Sequence, residues 1–142
     1  METKFNFKSQ VCTDRFQSER LLALGLKKET ADIVLLKEMV YDEENHCTRD
    51  GEGYLIRPIE YLEGEEHRGH IPAWSLHRLI EMMPKTIGRY FQYTSNDSCG
   101  YMDEDALNMN GGFDEGNIYD SIISCIEWLI KEGYFNKEYL EE

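Results

Sequence analysis

The residue types that bind metals gather in one part of the chain, at His46-Cys47 and at His67-Arg-Gly-His70. Two imidazoles three residues apart and one thiolate make three of the four ligands of a tetrahedral Zn²⁺ site. Glu65 or Glu66 offers a carboxylate for the fourth. On this reading His46, Cys47, His67 and His70 build a zinc-dependent catalytic centre. The spacing matches no established zinc signature, however, and Gly69 between two loops gives no rigid platform. The competing expectation is a set of solvated loop histidines and no cofactor.

Carboxylates form the second group with chemical potential. The net charge of −13 is unevenly spread: residues 1–89 hold 13 Lys or Arg against 16 Asp or Glu, whereas residues 90–142 hold 2 against 12. Such a field repels nucleic acid and anionic membranes and attracts cations or basic proteins. Asp97, Asp103, Glu104, Asp105, Asp114 and Glu115 are the natural contact residues for a basic protein partner. The run 97–105 does not fit a calcium loop, because Leu107 and Asn108 stand where an oxygen ligand and a glycine are required. Asn110-Gly-Gly112 before a helix lacks the Lys-Ser/Thr of a phosphate loop, and the acids beside it would repel phosphate. Ser75, His77 and Glu81 share one short segment without an oxyanion site, so Ser75 reads as a cap and His77 as an exposed residue.

These groups must be carried by elements that the hydrophobic pattern marks out. In residues 117–132 the polar positions Asp120, Ser124, Glu127 and Lys131 recur at steps of four, three and four. That is one narrow stripe of a helix, so the rest of its circumference must be covered. Asn117 is its N-cap and Gly133 its left-handed stop. A first helix starts at Thr13 or Asp14 and ends at Gly25, with Phe16, Leu21 and Leu24 inward and Arg15, Gln17, Ser18, Glu19 and Arg20 mostly outward. Residues 27–32 form a polar turn. Residues 33–41 mix both propensities and lean towards strand. Residues 42–53 read as a loop with a turn at Asp50-Gly51, and 54–59 as a short edge strand ending at Pro58. The charged connection 60–69 follows.

Ser75 caps a helix whose buried face is Leu76, Leu79, Ile80 and Met83, with Trp74 stapled against Leu79 and Pro84 as its end. Residues 86–94 and 101–107 form two strands around a turn at 96–100. Asn136 caps a last helical turn. Mixed helices and short strands without βαβ alternation give an α+β domain over residues 1–142. The expected architecture is a small antiparallel sheet against about three to four helices, with a largely buried C-terminal helix.

Residues 1–10 contain no apolar run, and no apolar stretch is long enough to span a bilayer. Cys12, Cys47, Cys99 and Cys125 form no C-x-x-C pair. These features lead to the expectation of reduced thiols in a cytoplasmic protein.

Three stretches carry a resemblance: Ile71-Pro-Ala-Trp-Ser-Leu-His-Arg-Leu-Ile-Glu-Met-Met-Pro84, Leu21-Leu-Ala-Leu-Gly-Leu26 followed by Thr30-Ala-Asp32, and Glu127-Trp-Leu-Ile-Lys-Glu-Gly133. Together they resemble a group of small uncharacterised proteins of gut Bacteroides-type bacteria, their prophages and mobile elements. The shared residues are packing and capping residues. The resemblance implies a bacterial cytoplasmic protein and transfers no site residues. The functional expectation is therefore a non-enzymatic protein that binds a macromolecule through its acidic C-terminal third, without direct nucleic-acid or membrane binding. A narrower form is an acidic decoy for the DNA site of a nucleic-acid enzyme. Homodimerisation is compatible with either, and the alternative is the metal-dependent enzyme.

Overall fold

Asp14 opens the first helix, α1 (Arg15–Ala23), with a full capping box: its carboxylate accepts from Gln17 N, and Gln17 Oε1 accepts from Asp14 N. This computed structural model describes residues 9–62, 70–109 and 111–142. Gln17 and Ser18, expected outside, are buried, while Phe16, expected inside, is 76% exposed. The cause is hydrogen bonding rather than apolar patterning. Ser18 Oγ pairs with Thr13 Oγ1 at 2.7 Å, and Gln17 Nε2 donates to Asp120 Oδ1 at 2.9 Å, so the polar side of α1 turns to the last helix. A 3-10 turn (Lys28–Thr30) follows.

Residues 33–41 are extended, as their β-branched content favours. They belong to β1 (Ile33–Asp42), which pairs antiparallel with β2 (Cys47–Pro58) and, over three residues only, with β3 (Ile71–Ala73). The loop expected over 42–53 shrinks to residues 43–46, and Asp50-Gly51 lies in strand. The extra residues are absorbed as a bulge, where the register shifts between Lys37 and Met39. Ladder bonds to β1 thus override the Asp-Gly turn signal. β2 is an edge strand that ends at Pro58, where no further ladder donor is needed.

Ser75 caps α2 (Leu76–Met82), accepting from Arg78 N at 3.2 Å. Its own Oγ–H donates to Asp32 Oδ2 at 2.6 Å, and Asp32 Oδ1 accepts from Ser75 N, which ties the start of β1 to α2. The second sheet has the order β4 (Thr86–Ile87), β5 (Tyr90–Thr94), β6 (Ser98–Met102), β7 (Phe113–Asp114), all antiparallel. The single strand expected over 86–94 is two, because Gly88 takes φ +61° in a two-residue turn between Ile87 and Tyr90. The strand expected over 101–107 instead runs from Ser98 to Met102, taking in part of the turn expected at 96–100, since Asp103 folds the chain into a loop. The sheet expected as one is therefore two.

The last helix, α3 (Ile118–Glu132), is capped by Asn117, whose Oδ1 accepts from the amides of Tyr119 and Asp120. It ends at Gly133 with φ +80°, the left-handed conformation that costs a glycine least. Seven of its residues are buried, among them Ile122, Ile123, Ile126 and Leu129, each contributing roughly 1.5–3 kcal/mol of burial. Ser121 is one of the seven, although it belongs to neither the polar stripe nor the apolar set. The main core joins α3 to Leu21, Leu26, Trp74, Leu79, Met82, Cys99, Tyr101 and Phe135. Trp74 is fully buried and donates its indole N–H to Thr30 Oγ1 at 2.9 Å. A 3-10 turn (Lys137–Tyr139) capped by Asn136 closes the chain over Leu26. Among the described residues, three α-helices, two antiparallel sheets and short 3-10 turns make an α+β fold. No helix of the described residues is long and apolar enough to cross a membrane.

Candidate functional site

The residue types that could bind zinc sit at opposite ends of the first sheet. His46 occupies the β1–β2 turn with φ +53°, and Cys47, exposed, pairs with Asp42 at the hairpin tip. His70 enters β3 beside Ile71, whose partner is Leu35 near the hairpin base. The six strand residues between that level and the tip separate them by about 20 Å. His70 therefore cannot share a tetrahedral centre with His46 and Cys47, whose metal bonds would each be about 2.0–2.3 Å. His67 lies outside the described residues, as do Glu65 and Glu66. Among the described residues, no three His, Cys, Asp or Glu side chains gather closely enough to hold a metal ion. His77 is 84% exposed and 3.6 Å from Glu81, consistent with a solvated i, i+4 pair.

The six carboxylates expected to meet a partner fall into two groups. Asp97, Asp114 and Glu115 meet at one end of β6. Ser98 pairs with Asp114, and buried Ser121 donates to Asp97 O at 2.6 Å while accepting from Glu115 N at 2.8 Å. One hydroxyl of α3 thus fixes two acidic loops. Asp114 Oδ1 accepts from Gly116 N, which orders the turn into α3.

Asp103, Glu104 and Asp105 stand at the other end of β6, about 20 Å away by strand rise. Asp103 is not a surface carboxylate: it is 7% exposed, and its Oδ1 accepts from the amides of Asp105 and Leu107, both at 3.0 Å. It holds the 103–107 loop, in which Ala106 takes φ +61°. Glu104 and Asp105 are exposed and, with Arg89 and Asp103, line a cavity of about 370 Å³. Arg89 lies over the Tyr90 ring and 3.9 Å from Asp103 Oδ2.

The charge is mostly uncompensated. Of the twelve acids in residues 90–142, ten are exposed; Asp120 is half-buried and Asp103 buried. No described cation forms an ion pair with Asp97, Glu104, Asp105, Asp114 or Glu115. Glu127 is paired with Arg20 at 3.2 Å, and Trp128, half-buried, lies against Tyr101, Phe113 and Tyr134 with centroid distances of 5.7–6.3 Å.

The thiols of Cys12 and Cys125 are poor nucleophiles. Burial, helped by Asp32 and Asp14, pushes the Cys12 thiol up to about 11. Cys125 is raised further by its contact with Cys99 and by burial. A thiol that stays protonated at neutral pH neither attacks nor binds metal.

The sequence reading did not single out the exposed apolar side chains of the β1–β2 hairpin: Met39, Tyr41 and Ile56 on one face, 43–57% exposed, and Leu55 and Val40 on the other, 44% and 39% exposed. Ile33-Val-Leu-Leu36 and Met39-Val-Tyr41 are continuous apolar runs, so no period-two alternation marked either face. Comparison of the chain with protein-family models, with curated proteins and with solved structures gives no match.

Proposed function

We propose that the protein is a binding module that captures a basic protein partner on the acidic surface of its C-terminal third. The observation that carries this reading is the exposure of ten carboxylates over residues 90–142 with only Lys131 and Lys137 among them. A surface of one sign, on which among the described residues only Glu127 has an ion-pair partner, speeds encounter with an opposite one and selects against nucleic acid and anionic lipid. The group Asp97, Asp114 and Glu115 is the preferred contact. Its backbone is fixed by Ser121, so the charges are presented at little further ordering cost. The narrower decoy reading needs carboxylates spaced like phosphates along one track. β6 (Ser98–Met102), between the two groups, has no acid, which favours the protein-partner form.

The test compares two baits, the wild type and the triple variant Asp97→Asn, Asp114→Asn, Glu115→Gln, on matched lysates eluted with rising salt. The expected result is a defined basic protein held by the wild type. Its affinity for the variant should be roughly tenfold weaker, with a shallower salt dependence, since each rim charge is worth about 0.2–1 kcal/mol. The same proteins, eluting at the same salt from both baits, would remove the basis of the proposal.

A further inference from the structure

Half-buried Trp128 lines a cleft of about 270 Å³ formed by α1, β7 and α3. Phe113 and Trp128 supply its aromatic walls, with ring centroids 5.8 Å apart and planes inclined at 48°. Tyr134, 41% exposed, supports Trp128 at 5.7 Å. The Trp128 indole N–H has no acceptor among the described residues, whereas that of Trp74 donates to Thr30 Oγ1. A ring packed on one side, with its donor still unused, suits an interface where a partner covers the other side.

The charges around the cleft select a neutral occupant. Lys131, one of the two Lys or Arg of residues 90–142, lines one end. Arg20 reaches in from α1, donating to Ser124 Oγ at 3.3 Å and to Glu127 Oε2 at 3.2 Å. A cation entering the cleft would meet both basic groups. An anion would meet Glu127 and the acidic field around it. Glu115 marks the other end, where Ser124 Oγ donates to its Oε1 at 3.4 Å. From Ser124 to Lys131 the helix rises about 10 Å, so the acidic and basic ends are well separated. The volume lies below the roughly 300–1,000 Å³ of pockets for drug-sized ligands and fits a single side chain.

We propose that the basic partner is anchored by an aromatic side chain seated between Phe113 and Trp128, with its basic residues lying towards Glu115. This rests on the acidic-surface reading and adds to it the residue that holds the partner in place. Exposed carboxylates set the rate and selectivity of encounter, whereas a buried ring sets how long the complex lasts. An aromatic occupant is favoured over an aliphatic one because both walls are rings, and ring pairs gain beyond the area they bury. Glu115 is in position for this: Ser121 fixes its amide, and Ser124, one turn further along α3, holds its carboxylate at the mouth of the cleft.

Isothermal titration of the full chain at low salt tests the proposal with three blocked peptides, Lys-Arg-Gly-X-Gly-Arg-Lys, where X is Phe, Leu or Ala. Basic residues on both sides let either chain direction reach Glu115. The Phe peptide should bind about tenfold more tightly than the Ala peptide. It should exceed the Leu peptide by about twofold or more. It should also shift the emission of Trp128, since Trp74 is fully buried. In Trp128→Leu, with its fold checked by circular dichroism, the preference for Phe over Leu should vanish. The triple variant Asp97→Asn, Asp114→Asn, Glu115→Gln should weaken all three peptides and keep their ratios. Equal affinity of the wild type for the three peptides overturns the cleft inference, and needs no variant to fold. If the triple variant still weakens them, the acidic-surface reading stands without it. Peptides that bind the wild type and the triple variant alike remove the acidic-surface reading and this inference with it. No binding of any peptide up to about 1 mM overturns both.

Discussion

Replacing Asp103 separates a structural carboxylate from a recognition surface. Its Oδ1 accepts two backbone N–H bonds at 3.0 Å in a site 7% exposed. A hydrogen bond to a charged group contributes about 1.5–3 kcal/mol. The Asp105 amide can partly turn to water, so Asp103→Ala should cost about 2–4 kcal/mol. Asp103→Asn keeps an Oδ1 acceptor in the same place and loses only charge, for a cost of about 1 kcal/mol. The Arg89 contact adds little, because Arg89 is 75% exposed and 3.9 Å away. Glu104→Ala next door should stay within about 0.5 kcal/mol of wild type. The assay is urea unfolding followed by tryptophan emission, since Trp128 lies 6.3 Å from Tyr101 in the strand that leads into this loop. If Asp103→Ala unfolds at the wild-type urea concentration, or Asn proves as damaging as Ala, the account of this loop fails.

Other outcomes follow from the same geometry. Ser121→Ala should cost about 2–3 kcal/mol in the same assay, because one buried hydroxyl serves both Asp97 O and Glu115 N. It should also weaken partner binding by displacing Asp97 and Glu115. An aromatic disulfide reagent at pH 8 should label one thiol per native chain, exposed Cys47, and all four in urea. Folding raises the Cys12 thiol from 9.0 to about 11, so above pH 9 the unfolded chain releases a proton that the folded chain keeps. Its contribution is complete below pH 9 and is lost as pH rises towards 11. Tm should therefore fall across that window, less steeply in Cys12→Ala.

Local signals were legible where they acted locally. Asn117, Ser75, Asn136 and Gly133 cap or stop helices because a side-chain oxygen or a free φ satisfies groups one to three residues away. The thin polar stripe of residues 117–132 required cover, and Ile122, Ile123, Ile126 and Leu129 have it. The strand preference of residues 33–41 and the acidity of residues 90–142 likewise needed no tertiary knowledge.

Partners distant in sequence decided the rest. Gln17 and Ser18 turn inward because Asp120 and Thr13 are there to bond them. Asp50-Gly51 became strand because Met39 stands opposite Asp50. Residues 71–73 and 113–114 are too short to show a period and became strands only through β1 and β6. The metal and acidic candidates followed the same logic. Sequence proximity grouped His46 and Cys47 with His70, and strand register placed them about 20 Å apart. It also grouped Asp103 with Glu104 and Asp105, yet burial turned one carboxylate inward and left the others to solvent. Residue type and local spacing determine caps, turns and net charge, because those depend on neighbours along the chain. Which side chains meet depends on ladder register and on the hydrogen bonds available at each contact, and only the tertiary structure sets those.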